Sequence, residues 1–185
     1  MITKKRENPM SVRSKNALAG ALIRLMLRRD YNEITISDIT GAARLSRQTF
    51  YTNFEKKEDI LNYLIDGLFA KYREEIRAKP PSPEDILVDY FIFWNENRDF
   101  LSLLMRHRLG FLFGDRNRAF FLGESGLLDG MITAEPWQMP YVRVSLAGIT
   151  YELTRLWITE EEGLPVSTLS SMTSKLLCGG IFREE

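Results

Sequence analysis

Between positions 47 and 54 the sequence sets Arg47, Gln48, Thr49, Tyr51, Thr52 and Asn53 around two phenylalanines, Phe50 and Phe54. Arginine and glutamine present planar groups that match guanine and adenine edges, and hydroxyls and carboxamides hydrogen-bond to phosphate oxygens or base edges. Phe50 and Phe54, four residues apart, share one helix face, which leaves the polar residues a face of their own. Six polar or amphipathic side chains in eight positions suit a core poorly, because each one buried needs a partner. Lys57 follows as a mobile point charge able to neutralise a phosphate. This is the chemistry of recognition. The sequence offers no Gly-rich phosphate loop, no nucleophile elbow, no pair of histidines and a single cysteine, Cys178, expected to be a buried, inert thiol. The lone His107, between Arg106 and Arg108, reads as an exposed helical residue, and Glu160-Glu161-Glu162 reads as a solvated helix end. Neither catalysis nor a metal or cofactor site is expected.

Such a surface has to be held by short helices, and the flanking sequence supplies their punctuation. Leu18, Ala21, Leu22, Leu25 and Met26 recur at helical spacing within Ser11 to Arg29, giving a first helix with one buried face. Thr35-Ile36-Ser37-Asp38 fits a capping box that starts a short second helix near Ile36. The stretch 42–46 reads as a turn, and Ser46 is a good N-cap for a third helix through Phe54. Lys57 then opens a long helix with Ile60, Leu61, Leu64, Ile65, Leu68, Phe69, Tyr72 and Ile76 on one face, stopped before Pro80-Pro81. A capping signal at Ser82-Pro83-Glu84-Asp85 opens a helix from Ile86 to Trp94 that should be buried nearly all round, and Arg98 to Arg108 reads as another. Residues 110–137, rich in glycine, are expected to form one imperfect helix. Tyr141 to Glu161 and a last helix carrying Leu169, Met172, Leu176 and Leu177 flank the break at Gly163-Leu164-Pro165. The fold class expected is all-α: a three-helix N-terminal helix-turn-helix domain over residues 1–56, and a larger helical bundle over residues 57–185, about nine helices in total.

The residues from Ile34 to Leu61 also carry a family resemblance. Ile34-Thr35-Ile36-Ser37-Asp38-Ile39, Leu45-Ser46-Arg47-Gln48-Thr49-Phe50-Tyr51-Thr52-Asn53-Phe54 and Lys57-Glu58-Asp59-Ile60-Leu61 resemble the signature of TetR/AcrR transcriptional regulators over roughly 45 residues from Lys15. The resemblance implies that Arg47, Gln48 and Thr52 sit where bases are read. It places Thr49, Tyr51, Asn53 and Lys57 at positions that touch phosphate, and Ser37 at a position that can meet either. Two residues depart from the pattern. Arg44 stands in the turn where the family usually has glycine, so the left-handed backbone there is strained by about 1 kcal/mol or the turn is remodelled. Lys56 stands where an N-cap is usual, and an ammonium cannot accept a backbone N–H bond.

Charge divides the chain. Residues 1–60 hold 12 Lys and Arg against 7 Asp and Glu, a balance of +5, which the remainder offsets to the net zero of the whole. A basic first third fits a polyanionic partner, double-stranded DNA, and an acidic remainder fits another task. The resemblance implies that this remainder holds a small-molecule effector and forms a homodimer through its last two helices, and hence that the operator is palindromic. Phe91, Trp94, Met105, Phe111, Phe113, Trp137, Tyr141 and Tyr151 are candidates for the effector pocket. Ser145, Ala147 and Gly148 let backbones approach closely, and with Leu156, Trp157, Met172 and Leu176 they are candidates for the dimer interface. No uncharged apolar run is long enough to span a membrane, and the start of the chain lacks a secretory segment, so a cytoplasmic protein without membrane contact is expected. The expected function is an effector-controlled DNA-binding regulator, a repressor. The alternative is a relative that no longer reads DNA and binds a protein partner as a coactivator does.

Overall fold

The computed structural model describes residues 8–79, 85–123, 134–160 and 163–177. Among these residues there are nine α-helices and no strand: α1 Pro9–Met26, α2 Ile36–Ala43, α3 Arg47–Asn53, α4 Lys57–Ala78, α5 Ile86–Glu96, α6 Arg98–Arg106, α7 Gly110–Gly123, α8 Met139–Thr159 and α9 Val166–Leu177. A single 3₁₀ turn, Tyr31–Glu33, precedes α2. The all-helical expectation is met. The chain divides into two compact units, one ending at Gly67 and the other starting at Leu68, so the division falls inside α4. Among the described residues no helix is long and apolar enough to cross a membrane.

In the first unit α1 packs on α2 and α3, and α2 on α3. The apolar stripe of α1 supplies Leu18, Ala21, Leu22 and Met26 to a core closed by Ile34, Ile39, Phe50, Ile60 and Leu61. α1 starts two residues earlier than its periodicity suggested. The Asn8 side chain accepts from the Met10 N–H at 3.0 Å, and Pro9, which lacks an N–H, takes the first turn. Tyr31 is buried beneath the 3₁₀ turn.

The second unit is built on packed aromatic rings, mostly tilted or edge-on to one another. Trp94 lies 4.8 Å from Phe69 and 4.7 Å from Phe113, and Tyr72 lies 4.9 Å from Phe93. α7 packs on α8, α6 on α8 and α5 on α9. α5 is buried along Leu87, Tyr90, Phe91, Phe93 and Trp94, although Ile92 is exposed. The one helix expected within 110–137 is α7, Gly110–Gly123, and two of its glycines make room for neighbours. A β-carbon at Gly110 would collide with the Met105 sulfur, and one at Gly114 would sit 2.9 Å from the Tyr151 ring. α8 ends at Thr159, where Arg98 donates to the carbonyls of Trp157 at 2.8 Å and Glu160 at 3.4 Å, placing a cation at a helix C-terminus. His107 is half-buried at the C-cap of α6 rather than exposed. The capping signal at Ser82-Pro83-Glu84, Cys178, and Glu161-Glu162 lie outside the described residues.

Candidate nucleic-acid interface

The second and third helices and the turn between them are fixed by short-range bonds. The Asp38 N–H donates to the Thr35 hydroxyl at 3.1 Å and the Thr35 N–H to the Asp38 carboxylate at 2.9 Å, the reciprocal pair of a capping box. The Thr35 hydroxyl, donating to the Asp38 carboxylate at 2.7 Å, and then the Thr35 N–H hold this carboxyl below its ordinary range, with Arg29, 3.3 Å away, adding to the effect. At the other end of α2, Arg44 adopts φ 55 and ψ 41 in the left-handed region. The strain expected of a non-glycine residue there is accepted. Closure compensates for it: the Leu45 N–H reaches back to the Thr40 carbonyl at 2.9 Å, satisfying a terminal carbonyl of α2. Ser46 then caps α3, its hydroxyl accepting from the Thr49 N–H at 3.0 Å.

α3 divides as its sequence requires. Phe50 and Phe54 are buried, 6.1 Å apart. Arg47, Gln48, Tyr51 and Thr52 are exposed, as is Ser37 on α2. Thr49 is half-buried and shares a 2.9 Å hydrogen bond with the Ser46 hydroxyl, while the Thr52 hydroxyl donates to the Gln48 carbonyl at 2.9 Å. Arg47 and Gln48 thus lie side by side in the first turn of a capped and anchored helix, with directional donors facing solvent. Such a helix end can present base-reading groups to a major groove.

Two residues that the resemblance places at phosphate positions make hydrogen bonds within the unit. Asn53 is half-buried, and its carboxamide accepts from the Ser11 hydroxyl at 2.6 Å and donates to the Thr49 carbonyl at 2.7 Å. It ties α3 to α1. Lys57 is turned inward: its ammonium donates to the carbonyls of Tyr31 at 2.7 Å and Ile34 at 3.0 Å and sits 4.2 Å above the Tyr31 ring. Two of its three donors are engaged in this contact. Burial, then the Glu58 carboxylate, push the Tyr31 phenol far above its ordinary range, so the ring under the ammonium stays neutral. The difficulty at Lys56 is also resolved locally. The Asp59 carboxylate accepts from the N–H groups of Glu55 at 3.0 Å and Lys56 at 2.9 Å, supplying the cap from inside α4. Asp59 and Tyr31 escaped the sequence reading. An acid three residues beyond the missing cap was a usable signal for the first, and Tyr31 carried none.

Among the described residues the effector candidates are divided between core, surface and groove. Phe91 and Trp94 are fully buried in the aromatic core with Phe113, and Met105 is half-buried against Gly110. Trp137 and Tyr141 are 69% and 71% exposed. Phe111 and Tyr151 meet in a groove of about 290 Å³ between α7 and α8 whose walls include Asp115, Arg118, Val144 and Gly148. The groove could not be read from sequence because core and groove positions share the same helical period. Ser145, Gly148, Leu156, Met172 and Leu176 are all exposed on α8 and α9, whereas Ala147 and Trp157 are buried within the unit. Among the described residues no three His, Cys, Asp or Glu side chains are grouped so as to hold a metal.

Residues 14–64 match the profile of the bacterial regulatory proteins of the tetR family. The chain is 34% identical, over 111 residues, to the HTH-type dhaKLM operon transcriptional activator DhaS of Lactococcus lactis. That match covers 60% of this chain and 48% of the relative, so the chain spans about half the length of this curated relative. Two solved structures share the fold. A TetR transcriptional regulator from Streptococcus agalactiae has a TM-score of 0.65 at 22% identity, over 91% of this chain and 95% of that one. The repressor FadR of Thermus thermophilus, solved with lauroyl-CoA, has a TM-score of 0.54 at 20% identity, over 92% and 96%.

Proposed function

Because this chain belongs to the TetR family and carries its helix-turn-helix, we propose that it is a homodimer that reads a palindromic DNA operator through Arg47 and Gln48, under the control of a small effector held by the second unit. The observation that carries the reading is the exposure of Arg47 and Gln48 on a helix that is capped by Ser46 and anchored to the domain by Phe50 and Phe54. One such helix reads too few base pairs to be specific, so two are needed. The exposed apolar residues Leu156, Met172 and Leu176 support a two-fold pairing through α8 and α9. Half-sites should then lie about one helical turn, roughly 34–36 Å, or a multiple of it apart. The groove bounded by Phe111 and Tyr151, with Asp115 and Arg118 at its wall, supports an effector with an apolar body and a polar end. FadR binds an acyl-CoA thioester, a ligand of that general kind.

The regulation we propose is repression, since a dimer filling two grooves excludes other proteins from the same DNA, whereas activation also needs a surface for the transcription machinery. DhaS is named an activator, and a reporter driven from the bound DNA separates the two signs. The DNA reading is tested by selection of duplexes from a random pool, with light scattering on the same protein. A palindromic consensus and a dimer mass are expected. A chain that enriches no sequence, or that stays monomeric at micromolar concentration, overturns the proposal.

A further inference from the structure

We propose that Lys57 is a positioning residue for base reading rather than a phosphate contact: it clamps the start of α4 to the turn before α2 and thereby fixes the pose in which Arg47 and Gln48 are presented. The inference rests on the DNA-reading function proposed above. Its basis is where the ammonium goes. Lys57 donates to the Tyr31 carbonyl at 2.7 Å and the Ile34 carbonyl at 3.0 Å, and it lies 4.2 Å above the face of the Tyr31 ring. Tyr31 and Ile34 are themselves buried, so the clamp is fastened to a rigid point.

The topology gives the contact its consequence. Ile34 directly precedes Thr35, the N-cap of α2, and Lys57 is the first residue of α4, three positions beyond Phe54, the C-cap of α3. The bond from 57 to 31 and 34 therefore closes a loop of chain that contains the whole of α2, its left-handed turn and α3. Without it, both ends of the helix-turn-helix lose a tie at once. α3 keeps its anchor at Phe50 and the bond that Asn53 accepts from the Ser11 hydroxyl, so it stays on the domain but samples a wider range of tilts. A phosphate contact made by a mobile cation tolerates such tilts. A bidentate contact to a base edge does not, because hydrogen bonds weaken steeply with misdirection. Loss of the clamp should reduce discrimination between sequences more than it reduces affinity for DNA in general.

The test uses the full chain, a duplex that the wild-type protein selects from a random pool, and a random duplex of equal length. Lys57→Met keeps the stem over the Tyr31 ring and removes the donors. Its ratio of selected to random affinity should fall about tenfold, the scale of one lost base contact, while the slope of log affinity against log salt stays as in the wild type. Lys57→Arg keeps the charge and is the variant to use if Lys57→Met does not fold. Its diverging fork cannot repeat a seat shared by two carbonyls and a ring face, so its ratio should also fall while its affinity for random duplex holds. The clamp reading is overturned if Lys57→Met lowers the salt slope by about one per recognition helix, if its ratio is unchanged, or if Lys57→Arg binds both duplexes as the wild type does. A wild-type chain that selects no sequence overturns the DNA reading as well, which separates the two failures. A role in stability alone would lower the unfolding temperature of either variant without moving the ratio, and that result also overturns the inference.

Discussion

Replacing Asn117 with alanine should destabilise the second unit by an amount that its hydrogen bonds allow one to work out. The side chain is fully buried, and its Oδ1 accepts from the Tyr90 hydroxyl at 2.9 Å. Its Nδ2 donates to the Ala147 carbonyl at 2.9 Å and the Thr150 hydroxyl at 3.0 Å, so one carboxamide on α7 joins α5 and α8. In Asn117→Ala, Thr150 still donates to the Leu146 carbonyl at 2.6 Å. The Ala147 carbonyl still has the hydrogen-bond ladder of α8. The Tyr90 hydroxyl loses its acceptor, Asn117 Oδ1, and keeps only the neighbouring hydroxyls of Thr154 and Thr150. Burial pushes this phenol well above its ordinary range, so ionisation offers no escape. Depriving a buried hydroxyl of its carboxamide acceptor costs about 1–3 kcal/mol, and the small cavity left by the carboxamide adds about 1 kcal/mol. The single substitution should therefore cost about 2–4 kcal/mol. In a Tyr90→Phe background no hydroxyl remains to lose this acceptor, and the same change should cost about 1–3 kcal/mol less. The assay is urea unfolding of the wild type, both single variants and the double variant at one protomer concentration, which isolates the coupling. A coupling below about 0.5 kcal/mol, the scatter expected of independent sites, would refute the reasoning.

On the selected duplex, Arg47→Ala and Gln48→Ala should each cost about 1–3 kcal/mol and much less on random DNA, with discrimination lost at one half-site position. Equal losses on both duplexes would mean that these residues meet phosphate instead. The Asp38 carboxyl is held below its ordinary range by Thr35 and then by Arg29, so the unfolded chain binds this proton more readily than the folded one. Its contribution to stability is thus present above the ordinary range, and it is lost as the pH falls through the lower folded value. Unfolding midpoints of the wild type and Asp38→Asn should differ near neutrality and converge in acid. Curves that stay parallel down to full protonation would remove the capping box from the account.

The helix-turn-helix was legible in the sequence because its determinants are local. Thr35 and Asp38 close a box over three residues, Ser46 caps the helix it precedes, and Phe50 and Phe54 share a face by helical geometry alone. The left-handed conformation at Arg44 was one of the two outcomes implied by the resemblance, which has glycine at that place in the turn. The direction of Lys57 could not, because its acceptors are backbone carbonyls 26 and 23 residues away, and a carbonyl leaves no mark in a sequence. The same holds for Asn53, whose partner Ser11 lies 42 residues distant. In the second unit, periodicity identified apolar faces without saying what covers them. Phe91 and Trp94 are enclosed by other rings, Phe111 and Tyr151 border a groove, and Leu156 and Met172 remain exposed, although all six are large and apolar or aromatic on helices of similar pattern. A helical period records which side of a helix avoids water. Whether that side meets a core, a ligand or a second chain depends on the packing of helices against one another, and only the tertiary structure fixes that.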